Sequence, residues 1–215
     1  MQPMPNAEEI RELVERIVDG LGPHGSADGI AAGDAAEESG AEHTTDHHAP
    51  AAPSSETVSP GAPGGRIAVG ADHGGYALKE RIAFKLKEAG YEVHDCGTQS
   101  MEPVDYPDLA HAVAGEVASG SSIYGIIVDG AGIGSAIVAN KVPGVRAALC
   151  YDLSSARNSR EHNHANVLTL GAGLIGEALA WQIVQEWLGT DWGPGRHARR
   201  VEKIADVERA YARPQ

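Results

Sequence analysis

The chain lacks the features that would tie it to a membrane, a nucleic acid or an oxidising compartment. It contains no uninterrupted apolar run of the roughly 18 residues that a membrane span needs, and no basic segment followed by an apolar one at its start. Its 17 Lys and Arg are outnumbered by 30 Asp and Glu, for a net charge of −13, whereas phosphate backbones require clustered positive charge. Its two cysteines, Cys96 and Cys150, have no metal-ligand spacing, which is typical of reduced thiols. We therefore expect a cytoplasmic protein with no membrane or nucleic-acid partner.

Residues 22–64 contain no lysine or arginine, and Ile30 and Val58 are their only large apolar side chains. The rest is mainly Ala, Gly, Pro, Ser, Thr, Asp and Glu, a composition that cannot bury enough apolar area to offset the entropy of ordering. We predict a disordered acidic linker. Three of its four histidines (His43, His47 and His48) raise the alternative of a metal site, but we interpret them as incidental and expect no metal.

Residues 1–21 have the pattern of a short amphipathic helix. Asn6 and Glu9 can form a capping box, and Gly20 marks the end. The apolar side chains recur at the spacing of one helical face; they are Ile10, Leu13, Val14, Ile17, Val18 and Leu21. An isolated helix of this length is marginal in water, so the apolar face needs a partner surface. The acidic opposite face disfavours a membrane, which leaves another protein, self-association or packing on this chain's own domain.

From Arg66 onward, apolar strand-like runs alternate with segments of helical periodicity. The pattern predicts an α/β fold with a five-stranded parallel sheet covered by helices on both faces. The predicted strands are 66–71, 91–95, 124–129, 145–150 and 167–170. The predicted helices are 76–89, 107–118, 136–141, 154–162, 177–188 and 198–211.

The most informative stretch runs from Tyr124 to Lys141, Y-G-I-I-V-D-G-A-G-I-G-S-A-I-V-A-N-K. A buried strand ends at Asp129, three glycines follow within residues 130–134, and a helix begins. Glycines let backbone N–H groups approach an anion closely at the carboxyl edge of such a sheet. The alternative is a tight strand–helix turn with a solvated aspartate.

Polar side chains also follow the first strand, where Asp72 and His73 stand. Because strand carboxyl ends share one edge of a parallel sheet, these residues and Asp129 could converge on one crevice. A solvated loop pair is the alternative.

Further along the chain, His162 and Asn163 end a helix, where a histidine is often only a cap. Arg196 and Arg200 lie four residues apart, so on a helix they share a face suited to bidentate phosphate binding. The alternative for the arginines is a solvated helix start paired with Glu202 or Asp206.

Six stretches, taken together, make the chain from residue 66 to about 211 resemble the ribose-5-phosphate isomerase B family, which includes the galactose-6-phosphate isomerase subunits. They are G-A-D-H-G-G-Y (70–76), D-Y-P (105–107), G-A-G-I-G (130–134), A-N-K (139–141), S-R-E-H-N (159–163) and G-R-H-A-R-R-V (195–201). The resemblance implies a Rossmann-like three-layer sandwich that forms a homodimer or a dimer of dimers, with active sites at the subunit interface. We place this domain at residues 65–215, including a C-terminal helix.

The resemblance also implies residue roles. Asp72 and His162 would open the sugar ring. Arg196 and Arg200, from the partner subunit, would hold the phosphate together with His73. The backbone of the glycine run would stabilise the enediolate oxygens. The remaining substrate-binding residues implied are Tyr106, Gly130, Ala131, Gly132, Gly134, Ser135 and Asn163.

The residue expected to move a proton between C1 and C2 departs from the family pattern. Many members have a cysteine at the position of Asp129, and one subgroup has a glutamate at the position of Ser135. This chain has neither, so we predict that Asp129 is the base, although an ordinary aspartate pKa of about 3.9 makes it a weak one. Ala131 replaces the usual Thr or Ser, which removes one hydroxyl contact.

These observations predict an aldose–ketose isomerase of phosphosugars without a cofactor, most simply converting ribose 5-phosphate to ribulose 5-phosphate through an enediolate. The alternatives are a tetrose or hexose phosphate as substrate, or a catalytically weakened sugar-phosphate-binding or scaffold protein. The helix over 1–21 resembles the encapsulation peptides of bacterial microcompartment cargo. That resemblance implies a shell or cargo protein as partner and a location inside a microcompartment.

Overall fold

Residues 64–212 are described by a computed structural model, so the helix predicted over 1–21 and the linker up to residue 63 lie outside the described part. Within it, five strands alternate with six helices, as the hydrophobic periodicity predicts. In chain order they are β1 (Arg66–Ala71), α1 (Tyr76–Glu88), β2 (Glu92–Asp95), α2 (Tyr106–Ala118), β3 (Tyr124–Asp129), α3 (Ile133–Ala139), β4 (Ala147–Leu149), α4 (Leu153–Glu161), β5 (Val167–Gly171), α5 (Glu177–Gly189) and α6 (Arg196–Tyr211).

All strand pairings are parallel, and the strand order across the sheet is β2-β1-β3-β5-β4. The prediction of an α/β fold with a five-stranded parallel sheet is therefore confirmed. After β1 the chain adds β2 on one side of the sheet, and after β3 it adds β4 and β5 on the opposite side. The direction in which strands are added therefore reverses between the neighbouring strands β1 and β3. In open α/β sheets the ligand crevice lies outside the carboxyl ends of the strands at such a reversal.

Two apolar cores cover the two faces of the sheet, because successive side chains of each buried strand point to opposite sides. Within β3, Ile126 and Val128 belong to one core and Ile127 to the other. The first core also contains the inner faces of α1 and α5, and the second contains that of α2. Among the described residues, no helix is both long enough and apolar enough to cross a membrane.

Most element boundaries differ from the sequence prediction by one to three residues, and α3 begins three residues earlier and ends two residues earlier than predicted. β4 is confined to Ala147–Leu149, because the side chains of Asn140 and Asn166 bind the backbone at residues 146 and 147 that a longer strand would need. Helix α6 begins at Arg196, two residues earlier than its periodicity indicates, so that Arg196 and Arg200 both belong to it.

Candidate active site

The loop after β1 carries Asp72 and His73 to the carboxyl edge of the sheet. The Asp72 carboxylate accepts a hydrogen bond from the backbone N–H of Gly75 at 2.9 Å, and His73 Nδ1 accepts one from Val104 N–H at 3.3 Å. Gly74 lies so close to the loop after β3 that a methyl group there would be 3.9 Å from the Gly130 amide nitrogen. The ends of β1 and β3 therefore lie side by side, and the Asp72 N–H donates to the Val128 carbonyl at 3.3 Å.

Tyr106, at the start of α2, completes the same group of residues. Its ring packs against Gly134, where an added Cβ would lie 2.6 Å from the ring carbon Cε2. A side chain at position 134 would therefore displace the Tyr106 ring. The Tyr106 side chain remains 40% exposed, so it forms a wall of the crevice rather than part of the core. We call this set the carboxyl-edge half-site; it consists of Asp72, His73, Tyr106 and residues 129–135.

The Asp129 side chain lies inside the turn formed by residues 130–134, which we call the glycine turn, and is only 5% exposed. One carboxylate oxygen accepts hydrogen bonds from the backbone N–H groups of Ala131 (2.8 Å) and Gly132. The other accepts from Ser135, both from its N–H at 3.1 Å and from its hydroxyl. A carboxylate has about four acceptor sites, so these four donors occupy them all. The sequence placed this carboxylate at the edge of the turn, whereas the structure places it within the turn as its internal anchor.

Three amides of the same turn remain available. The N–H groups of Gly130, Ile133 and Gly134 have no hydrogen-bond partner among the described residues. Gly132 has a positive φ of 76°, which turns the chain from β3 into α3. The turn can therefore offer backbone donors to an oxyanion while Asp129 binds its other amides.

His162 and Asn163 lie elsewhere, in the connection that leads into β5. Because they precede a strand of a parallel sheet, they lie at its amino edge. The start of α6 is held against them: Gly193 N–H donates to the Glu161 carbonyl at 2.9 Å, and the rings of His162 and His197 stack with centroids 4.3 Å apart. We call this set the amino-edge half-site; it consists of His162, Asn163, Arg196, His197 and Arg200.

The structure thus brings the predicted site residues together in two groups, not one. A strand of five residues such as β5 is about 16 Å long, and the sheet with its cores lies between the two edges. Within one chain the arginines and His162 cannot reach a ligand bound at Asp72 and the glycine turn.

The sequence predicts no separate role for His197, a member of the basic cluster formed with Arg196, Arg199 and Arg200, or for Tyr151, yet each contacts a predicted site residue. His197 is 9% exposed, and its pKa is lowered by burial and then by the neighbouring charges of His162, Arg196 and Arg200. The Tyr151 hydroxyl donates to the Ala131 carbonyl at 2.7 Å and so holds the glycine turn from the end of β4. Tyr151 has no motif around it, but His197 lies inside the G-R-H-A-R-R-V stretch, which could have drawn attention to it.

No grouping of three or more His, Cys, Asp or Glu side chains with metal-binding geometry occurs between residues 64 and 212. Burial raises the pKa of both thiols, to about 11 for Cys96, so neither is prepared to act as a nucleophile.

Fold and site together define an open-sheet α/β protein with a ligand crevice at the carboxyl edge of its parallel sheet, lined by backbone amides and a His–Asp pair. A family model described as Ribose/Galactose Isomerase matches residues 67–204. The chain belongs to that family.

Individual relatives agree with this assignment. The chain is 47% identical over 143 residues to ribose-5-phosphate isomerase B of Escherichia coli, a match that covers 66% of this chain and 96% of that protein. It is 39% identical over 153 residues to ribose-5-phosphate isomerase B of Mycobacterium tuberculosis, covering 70% and 94%.

Solved structures show the same similarity. Ribose-5-phosphate isomerase B of Clostridium thermocellum superposes with a TM-score of 0.68 at 52% identity, over 68% of this chain and 99% of that one. The Mycoplasma genitalium enzyme with bound ribulose-5-phosphate superposes with a TM-score of 0.65 at 37% identity, over 67% and 96%.

Proposed function

We propose that this protein is an aldose–ketose isomerase that interconverts ribose 5-phosphate and ribulose 5-phosphate through an enediolate. The observation that carries the proposal is the carboxyl-edge half-site. Asp72, His73 and Tyr106 converge there on a glycine turn with three unoccupied backbone N–H groups. Relatives with this fold are named for the same reaction, and the structure from Mycoplasma genitalium is described as holding ribulose-5-phosphate.

The reaction requires ring opening and then one proton transfer. Asp72 accepts the proton of the anomeric hydroxyl while His162 donates one to the ring oxygen. A base then removes the C2 proton of the open aldose and returns it to C1, with O1 and O2 sharing the negative charge of the enediolate between the two steps. The free amides of Gly130, Ile133 and Gly134 stabilise that charge.

Asp129 is the base in this proposal, and its surroundings set a condition on that role. Its four acceptor sites are filled, so it can take a carbon-bound proton only after one donor has turned away. The Ser135 hydroxyl is the one donor of the four that can rotate without moving the backbone. Release of that bond on substrate binding would expose the Asp129 oxygen to C1 and C2.

A homodimer with shared sites supplies the second half of the machinery. His73 holds the phosphate from one chain, while Arg196, Arg200, His162 and Asn163 come from the partner chain. The reason is the separation of the two half-sites, which a second copy can overcome by setting its amino-edge half-site on the carboxyl edge of the first. Helix α6 also leaves Ile204, Val207 and Tyr211 exposed at 47%, 60% and 85%, an apolar row that a partner subunit would cover.

The N-terminal extension has a separate role in this proposal. The helix over 1–21 docks on a shell or cargo protein of a bacterial microcompartment, and residues 22–64 act as a flexible tether to the isomerase domain at 65–215. The support is the amphipathic pattern and the acidic, apolar-poor linker.

Substrate identity is tested by assaying the purified full chain with tetrose, pentose and hexose phosphates. We expect kcat/KM to be highest for ribose 5-phosphate. Binding of all three classes without turnover would instead identify a sugar-phosphate-binding protein, and preference for another sugar would change the substrate.

The base is tested with Asp129→Asn and Asp129→Cys. The asparagine variant lacks the basic carboxylate, and we expect its kcat to fall by about 10² to 10⁴, the usual contribution of a positioned acid or base. The cysteine found in many family members should retain turnover, and urea unfolding midpoints of both variants separate loss of the base from a folding defect. Turnover by Asp129→Asn within a few-fold of wild type would remove Asp129 from this role.

A further inference from the structure

The His162 ring is held from three sides. The Asn158 side-chain nitrogen Nδ2 lies 2.9 Å from His162 Nδ1. The Glu161 carboxylate lies 3.6 Å from the other ring nitrogen, Nε2. The His197 ring lies parallel to the His162 ring, with an interplanar angle of 2°. These contacts fix the orientation of the ring and the polarity of its two nitrogens.

The chemistry of the two polar neighbours is complementary. An amide –NH₂ only donates, so the nitrogen that faces it must present a lone pair. The Glu161 carboxylate, at 3.6 Å, is beyond hydrogen-bond distance, but its negative charge favours a proton on the nitrogen that faces it. Both contacts select the same neutral tautomer, with a lone pair on Nδ1 and a proton on Nε2.

We propose that Asn158 is a positioning residue that sets the His162 tautomer, so that Nε2–H is the proton that His162 delivers to the sugar ring oxygen. This inference rests on the proposed isomerase function for its catalytic meaning. It assigns a role to a residue outside the family stretches identified in the sequence, since the S-R-E-H-N stretch begins at Ser159.

Local geometry explains why the two side chains meet. Asn158 lies in the last turn of α4, and His162 caps that helix, its N–H donating to the Asn158 carbonyl at 2.9 Å. Residues four apart on a helix share a face, so the side chains of this pair are neighbours as well. The contact is made within one chain and needs no partner subunit.

His197 supports the same arrangement from the other element of the half-site. Its pKa is lowered, because it is buried and lies near His162, Arg196 and Arg200, so it stacks on His162 as a neutral ring. Because the His197 ring is neutral, it places no positive charge next to the proton that His162 donates. The Glu161 carboxylate lies 3.6 Å from His162 Nε2, and Arg196 and Arg200 act from α6 on the stacked His197 ring.

The direct test is ¹⁵N NMR of the histidine side chains in the full chain, with the His162 signals assigned by their loss in His162→Asn. Spectra are taken about two pH units above the ordinary histidine pKa of roughly 6.5, where the rings are neutral. Wild-type protein should show the Nε2–H tautomer.

Asn158→Asp is nearly isosteric but replaces the donor with an acceptor, so it should shift the proton of His162 to Nδ1. Arg157→Gln, a change on the same helix that removes an exposed ion pair with Glu186, should leave the tautomer unchanged.

The kinetic readout separates this inference from the proposed function. Asn158→Asp should lower kcat by about 10-fold or more with KM nearly constant, because a misplaced acid proton costs part of the 10² to 10⁴ that acid catalysis supplies. A wild-type Nδ1–H tautomer, or an unchanged tautomer in Asn158→Asp, would overturn the inference whatever the activity. Absence of isomerase activity in wild type would overturn the proposed function and leave the NMR result to decide the role of Asn158.

Discussion

At the scale of single residues, the buried charges of Asp129 and Arg160 are bound by neutral backbone and hydroxyl groups, whereas the buried ammonium of Lys79 is paired with the carboxylates of Glu80 and Asp95. Asp129 is bound by its own loop. Arg160 is fully buried beneath Tyr124 and Trp187, with bonds to the Ala165 carbonyl and the Tyr124 hydroxyl. Such bonds stabilise a charge where water is absent and also fix the loops that carry the site residues.

His164 gives a residue-scale prediction on pH. Burial, and then the positive charges of Arg146 and Arg160, lower its pKa from 6.5 to about 4. In the unfolded chain the ring binds its proton near 6.5, so between these values the unfolded state holds more protons and stability rises with pH. Acidification from pH 6.5 towards 4 should therefore lower the free energy of unfolding.

The measurement for His164 is a series of urea unfolding midpoints across that pH window, for wild type and for His164→Asn. Asparagine tolerates the positive φ of 51° at this position, so the backbone is preserved. The variant loses the stacking on Trp192, which lowers stability at every pH, but its midpoint should vary less with pH. An equal slope in the two proteins would contradict the prediction.

At the scale of elements, the junction between β3 and α3 determines the carboxyl-edge half-site. The strand ends in a buried carboxylate, the turn binds that carboxylate with two of its amides, and the first turn of α3 adds the Ser135 donors. Tyr151 binds the turn from the adjacent connection. The shape of this turn therefore depends on glycine at defined positions.

Gly132→Ala tests that dependence, with Gly120→Ala as its matched control. Both glycines have a φ near 75°, but a Cβ at Gly120 meets nothing within 4 Å, whereas one at Gly132 would lie 2.5 Å from Leu149 Cδ1. Both variants should lose about 1 to 2 kcal/mol for a left-handed residue. Gly132→Ala should lose about 1 to 3 kcal/mol more from overpacking, together with isomerase activity.

Chemical denaturation and turnover measure the two variants side by side. Equal destabilisation of both, with activity retained in Gly132→Ala, would show that the turn tolerates a side chain. The contrast isolates crowding, because the φ angles at the two positions are nearly equal.

At the scale of the whole molecule, the separation of the half-sites makes subunit sharing the central proposal. The carboxyl-edge half-site contains no arginine, and the amino-edge half-site lies across the core from the glycine turn. A C₂ dimer that pairs these two surfaces makes two identical composite sites.

Complementation tests this arrangement. Asp72→Asn damages only the carboxyl-edge half-site, and Arg196→Ala with Arg200→Ala damages only the amino-edge one, so each protein alone should be nearly inactive. Unfolded together and refolded as a mixture, they should recover about a quarter of wild-type activity, because half of the dimers are mixed and one of their two sites is intact. Failure to recover activity, with mixed dimers shown by mass spectrometry, would rule out shared sites.

Removal of residues 1–21 tests the proposed tether at the same scale. The isomerase domain should keep its kcat and KM, because the site residues all lie beyond residue 71. Co-localisation with microcompartment shell proteins should be lost. Unchanged packaging of the shortened chain would argue against the targeting role, and a change in kcat would show that the helix acts on the domain itself.

Hydrophobic periodicity by itself determined the α/β fold, since an alternating sheet-and-helix pattern has few ways to bury its apolar faces. The positions of Asp72, His73 and Asp129 directly after strands likewise determined their shared edge. Only the tertiary structure decided that the Asp129 carboxylate faces its own turn, that His162 lies at the opposite edge from Asp72, and that His197 covers His162. Those facts depend on which way a side chain turns and on which distant segments meet, and neither is encoded in the spacing of residues along the chain.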